Sequence, residues 1–197
     1  MESVLLIDGE NLKGKIRSVF HSDKKRIIWH EYDFRGLLHK VLEGMKIDKK
    51  VFYFARIKEH DDSKEKSKQL IEEQRLLKTH LERQGFNVIL SGRVRGQWED
   101  DVSGKKVLIF KEKGVDVKIA VDMVALACDK KVGQIILASS DSDLQPAIKE
   151  VTNRKVDCVY VGFESQPNKG MSFTTKRTIL VRNSEVLEFE KVQPKLV

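Results

Sequence analysis

The chain has 197 residues, 40% hydrophobic and 34% charged, with a net charge of +7. That is enough for one domain with a full core, and the balance is that of a soluble globular protein. No run of eighteen apolar residues is present, so no membrane span is expected, and Met1-Glu2-Ser3 ahead of the short run Val4 to Ile7 is too acidic to read as a signal peptide.

The two cysteines, Cys128 and Cys158, fall in apolar periodic segments and read as buried thiols of a reducing cytoplasm, not as a disulfide or a metal pair. The moderate positive charge permits attraction to nucleic acid without requiring it.

In chain order, Val4 to Ile7 is a buried first strand ending in Asp8-Gly9-Glu10-Asn11, and a helix follows from Leu12 to about Phe20. His21 to Arg26 is a basic loop, and Arg26 to Tyr32 is ambiguous, with an extended reading open. Phe34, Leu37, Leu38, Val41, Leu42 and Met45 mark an amphipathic helix capped by Asp33. Val51 to Ala55 is a second strand. After the charge run Glu59 to Lys68, Leu70, Leu77 and Leu81 carry a helix that ends at Gly85, and Phe86 to Leu90 is a third strand.

Ser91 to Lys113 breaks this alternation. Its glycines, its strand-like Val107 to Phe110 and its basic residues around Trp98 read as a β-hairpin arm. Val117, Ala120, Val121, Val124 and Cys128 then recur at helical spacing, Gly133 punctuates the exit, and Ile135 to Ala138 is a strand buried on both faces. Ser139-Ser140-Asp141-Ser142-Asp143 opens a helix faced by Leu144, Ala147, Ile148 and Val151. Val156 to Val161 is a further strand, Gly162 to Gly170 a loop, and Thr178 to Val181 and Val186 to Phe189 are short segments with an extended reading open. Strands alternating with helices predict a parallel sheet covered on both faces. The chain reads as a single domain over 1–197, with a hairpin insertion at about 91–113 and a C-terminal extension at about 162–197.

Four acids fall at strand ends or helix starts: Asp8, Asp116, Asp141 and Asp143. If the strands before Asp8 and Asp141 are neighbours, the four can converge at one edge. Each alone reads equally as a helix cap, and Ser140 with Asp143 could form a capping box. Together they repel: two carboxylates about 4 Å apart cost ~4 kcal/mol at an effective dielectric near 20, unless a cation sits among them. Oxygen ligands favour Mg²⁺ or Mn²⁺ over zinc, and such an ion suits phosphodiester chemistry. Asn11 could orient a water or a phosphate, or only cap. Asp122 lies about 240° around an ideal helix from Asp116, so it reads as a supporting contact behind the ligands or an ion pair with Lys118. Arg93, Arg95, Lys105 and Lys106 around Trp98 have the cations and the stacking ring a single-stranded substrate needs, with a merely solvated hairpin equally open.

The stretches LLIDGENL (Leu5 to Leu12), KGVDVKIAVDM (Lys113 to Met123) and ILASSDSDLQPAI (Ile136 to Ile148), in this order and spacing, closely resemble the NYN domain of the PIN-like nuclease superfamily. The resemblance covers roughly Val4 to Val161. It implies a three-layer α/β/α sandwich with a central, mostly parallel sheet. It also implies an acidic cluster of Asp8, Asp116, Asp141 and Asp143 holding Mg²⁺ or Mn²⁺, and ribonuclease activity by metal-assisted hydrolysis that leaves a 5′-phosphate and a 3′-hydroxyl. Asn11 and Asp122 match recurrent family positions, and Ser139 matches a small hydroxyl position before the acidic turn. Ser140 departs from the family, which has glycine there, and the hairpin arm is longer than the resemblance leads one to expect.

The expected function is a cytoplasmic metal-dependent endoribonuclease acting on single-stranded or structured RNA, with no membrane partner and with a homodimer left open. The alternative is a non-catalytic RNA-binding or regulatory PIN-like module. A haloacid-dehalogenase type of phosphatase fits poorly, because it wants an acid Asp where Glu10 stands.

Overall fold

The computed structural model describes residues 1–20, 27–59, 64–100 and 106–191, without the side chains at 95–97, 107–108 and 110–111. The expected loop at 21–26, part of the charge run after Glu59, and the tip of the hairpin including Lys105 lie outside the described residues.

Six strands form one parallel sheet: β1 (Glu2–Asp8), β2 (Lys49–Phe54), β3 (Asn87–Leu90), β6 (Val132–Ala138), β7 (Asp157–Phe163) and β8 (Arg177–Val181), in the order β3-β2-β1-β6-β7-β8. β4 (Arg93–Asp100) and β5 (Lys106–Lys113) form a separate antiparallel hairpin, inserted where the sequence predicts one. Helices α1 (Gly9–Val19), α2 (Phe34–Val41), α3 (Lys64–Arg83), α4 (Val115–Cys128), α5 (Gln145–Asn153), α6 (Lys169–Thr174) and α7 (Asn183–Glu188) fill the connections.

The strands are apolar on consecutive residues because both faces of the sheet are covered. Leu5, Ile7, Phe52, Phe54 and Val159 face one core with α1, α2, α3 and α7. Val4, Leu6, Val51, Ile135 and Leu137 face a second core with α4, α5 and α6. The result is three layers, α/β/α, as the resemblance implies. Each fully buried Leu, Ile or Phe contributes roughly 1.5–3 kcal/mol, so the two cores together hold the sheet rigid beneath its loops. Among the described residues no helix is long and apolar enough to cross a membrane.

The sheet grows outward from β1 in both directions, so the order in which strands are added reverses between β1 and β6. Open α/β sheets leave a crevice at the carboxyl ends of their strands at such a reversal. β1 pairs with β6 in register Leu5↔Ile136, Leu6↔Leu137 and Ile7↔Ala138, which brings Asp8 and Ser139 side by side at the strand ends.

Two glycines are fixed by geometry. A Cβ on Gly9 would sit 2.1 Å from Phe54 Cε1, so α1 can lie against the end of β2 only because that side chain is missing. Gly85 follows α3 at φ +84°, the left-handed ending that its position in the sequence predicts.

Four readings need correction. The stripe Val117, Val121 and Cys128 does not face the core: Val117 and Val121 are 61% and 56% exposed and Cys128 is exposed, while Val115, Ile119, Met123 and Ala127 are buried. α4 is apolar nearly all round, so its periodicity does not tell its inner face from its outer one. Cys158 is buried as expected, and burial pushes its thiol up to about 12. The segment around Val186 is the helix α7, not a strand; Val186 is buried against α2 and its carbonyl accepts from the Tyr32 hydroxyl (2.9 Å). Residues 27–32 form an irregular stretch and a turn instead of a strand. Gly133 lies inside β6 and does not precede it.

Candidate metal centre

Asp8 ends β1 and caps α1: the Asn11 N–H donates to its Oδ1 (3.0 Å). Its other oxygen accepts from the Ser139 hydroxyl (3.3 Å), and Ser139 is buried at the end of β6. The same Ser139 Oγ accepts the Asp141 N–H (3.2 Å). One buried hydroxyl thus links the acid of β1 to the acidic turn after β6. Asn11 makes a second link, its Oδ1 accepting the Ser140 N–H (3.1 Å). Asp8 thus caps α1, as its helix-cap reading expects, while the Asn11 side chain caps no helix among the described residues and ties the acidic turn to α1.

Asp141 caps a single 3-10 turn, Ser142–Leu144, by accepting the Asp143 N–H (2.9 Å). This replaces the expected Ser140–Asp143 capping box. The Ser140 hydroxyl instead meets the Tyr160 hydroxyl at 2.9 Å, so the serine that stands at the family's glycine position is tied back to β7. Asn168, at the N-cap of α6, braces the same turn through Nδ2, which donates to the Ser140 carbonyl (2.9 Å) and to Ser142 Oγ (3.2 Å). Nothing in the sequence singled out Tyr160 or Asn168, because neither belongs to a motif and both act across the fold.

Asp116 lies in the first turn of α4. One carboxylate oxygen from each of Asp116, Asp141 and Asp143 lies within 4.8 Å of the others. Asp116 and Asp141 are half-buried and Asp143 is exposed. Among the described residues no Lys or Arg pairs with any of the three. Three like charges at this spacing cost several kcal/mol unless a cation joins them, and an all-oxygen donor set suits a hard divalent ion. Asp8 falls outside this mutual distance and is reached through Ser139. Asp122 forms the ion pair with Lys118 (2.6 Å) that the sequence left open, and accepts from the Tyr53 hydroxyl (2.9 Å). Burial and the Asp122 charge together push the Tyr53 hydroxyl well above its ordinary value.

Burial is also what raises Asp8 above the ordinary carboxylate value; the Asn11 and Ser139 hydrogen bonds pull it back, and the Asp141 and Glu10 charges push it further up. The larger effect is at Glu112, near the end of β5 before α4. Burial first, then the charges of Glu10 and Asp8, push it up to about 7, against a backbone hydrogen bond from Ala55 and the charge of Lys13. Its Oε1 is buried without a hydrogen-bond partner among the described residues. The sequence showed Glu112 as one charge in a basic arm, with no signal that the hairpin root folds onto the carboxyl end of the sheet.

The other arm residues are open to solvent where described: Arg93 and Lys106 are exposed and Trp98 is 56% exposed. The Arg95 side chain lies outside the described residues. The family model for the NYN domain matches residues 3–179. No curated protein matches the chain.

Proposed function

We propose, from the premise that this chain belongs to the NYN domain family of PIN-like nucleases, that it is a metal-dependent endoribonuclease of the cytoplasm. The observation that carries the reading is the group Asp116, Asp141 and Asp143, whose oxygens converge within 4.8 Å with no cation from the described chain among them. Mg²⁺ or Mn²⁺ held there would acidify water and offset charge building on a phosphodiester.

The chain's own residues do the placing. Asp116, Asp141 and Asp143 are the ligands, and Asp8 is the fourth carboxylate, held one hydroxyl away by Ser139. Asn11 fixes the acidic turn against α1, and Asp122 anchors α4 through Tyr53. The arm carrying Arg93, Arg95, Trp98, Lys105 and Lys106 contacts the RNA. The whole chain acts as one unit, with the hairpin an arm inserted between β3 and α4.

The test is a panel of end-labelled RNAs incubated with Mn²⁺, with Mg²⁺ and with chelator. Internal cleavage that requires the ion and leaves 5′-phosphate ends is the expected result. RNA binding without cleavage across the panel would favour the non-catalytic module instead.

A further inference from the structure

A groove of about 890 Å³ lies between α1 and α3. Glu10, Glu112, Phe54, Leu77 and Trp29 are among the residues that line it. On the α1 side lie two cations. Lys13 Nζ is 5.3 Å and the Arg17 guanidinium 5.6 Å from the Trp29 ring centre. Lys13 also pairs with Glu10 (2.7 Å), whereas among the described residues no carboxylate pairs with Arg17. We propose that this groove is a subsite for a single-stranded RNA segment next to the scissile phosphate, with a base stacked on Trp29 and its phosphates held by Arg17 and Lys13. The proposal rests on the nuclease reading above.

Three features select this occupant. The volume is that of a ligand site, ~300–1,000 Å³, and ample for a nucleotide. The groove begins beside the carboxylate site: Glu10, which lines it, stands in the first turn of α1, the helix that Asp8 caps. Its lining also pairs the Trp29 face with the cations of Arg17 and Lys13, beside the carboxylates of Glu10, Glu73 and Glu112; an aromatic face with cations is the combination that binds unpaired bases irrespective of sequence. An apolar peptide would offer Arg17 no counter-charge. A duplex keeps both faces of each base covered and has none to offer Trp29. Both cations rest on the indole in the free protein; a nucleotide gives them phosphates to move to and frees the ring face for the base.

The chain has two tryptophans, so Trp98→Phe leaves Trp29 as the sole reporter. With Asp141→Asn added to suppress cleavage, an eight-nucleotide single strand is titrated while Trp29 emission is read, and binding is followed in parallel by anisotropy of the same strand carrying a 3′ dye. Quenching of Trp29 that saturates with the anisotropy, and is absent with the matching duplex, is the expected result. Arg17→Gln, an exposed position, should weaken binding and reduce the logarithmic salt slope by about 0.7. Trp29→Ala should cost about 5- to 150-fold in affinity and Trp29→Phe far less. Because Trp29 packs near Tyr32 and Phe34, the Arg17→Gln result stands independently of whether Trp29→Ala folds. Binding with unchanged Trp29 emission and an unchanged Arg17→Gln salt slope overturns the groove and leaves the nuclease reading in place. Emission that changes on dilution of the protein alone puts a second copy in the groove and overturns the proposal. Absence of both binding and cleavage for every RNA sinks the nuclease reading, and the groove with it.

Discussion

Two groups of acids meet at Ser139, and they handle their charge in opposite ways. Asp116, Asp141 and Asp143 bring oxygens within 4.8 Å of one another and take no cation from the described chain. Asp8, Glu10 and Glu112 are compensated from within: Asp8 by the Asn11 N–H and Ser139, Glu10 by Lys13, and Glu112 by the Ala55 N–H and a raised proton affinity. The same kind of side chain is left open for an outside ion on one flank and neutralised by the protein on the other. The first group is compatible with a metal site, and the second lies beside it.

The comparison breaks most sharply at Asp141. Asp141→Asn keeps an oxygen to cap Asp143 but removes a ligand charge, so cleavage should fall on the order of a hundredfold or more, while the melting temperature in chelator stays level or rises because repulsion is relieved. If the variant melts like a core mutant, Asp141 is a cap and nothing more.

Metal itself should act through the first group alone. Mn²⁺ at a hundredfold excess over its Kd should stabilise the native chain by about 2.7 kcal/mol, seen as a rise in melting temperature. The rise should vanish in Asp141→Asn and survive in Glu112→Gln. Its loss in Glu112→Gln would merge the two groups into one site.

The smallest effect concerns Glu112. Its folded pKa, about 7, lies above its ordinary value of 4.5, so the native state binds the proton more tightly than the unfolded chain. Stability is then greatest below about 4.5 and falls as pH rises through about 7. In chelator, Glu112→Gln should remove that slope and leave the variant more stable at pH 8 by about 1–2 kcal/mol, the full linkage value being reduced for its contact with solvent. Asp8, also raised, adds in the same direction and remains in the variant. Parallel stability curves for the two proteins between pH 4.5 and 8 would show that Glu112 is ionised throughout.

The first group and Asp8 were legible in the sequence and Glu112 was not, for a physical reason. Asp8 and Asp141 end buried strands, and a run such as Ile135 to Ala138 announces where a strand stops; adjacency of β1 and β6 then does the rest. Asp116 follows from the helix start after Gly114. Glu112 depends on how a hairpin packs at its root, which no periodicity encodes. Tyr160 and Asn168 act through single hydrogen bonds between elements far apart in the chain. α4 failed differently: with apolar residues on every side, its pattern fits two orientations, and packing against α5 and β6 chose the one that leaves Val117 and Val121 outside.

The contact between Gly9 and Phe54 separates two pressures that the pair Asp8-Gly9 presents as one. A library randomised at both positions and selected only for folding should return glycine at position 9, since any Cβ collides with the Phe54 ring. Position 8 should drift under that selection among Asp, Asn, Ser and Thr, all of which cap a helix. Only selection for cleavage should narrow it to Asp. Of two neighbours in one short motif, the glycine answers to the architecture, and the aspartate should answer to cleavage as well as to the cap.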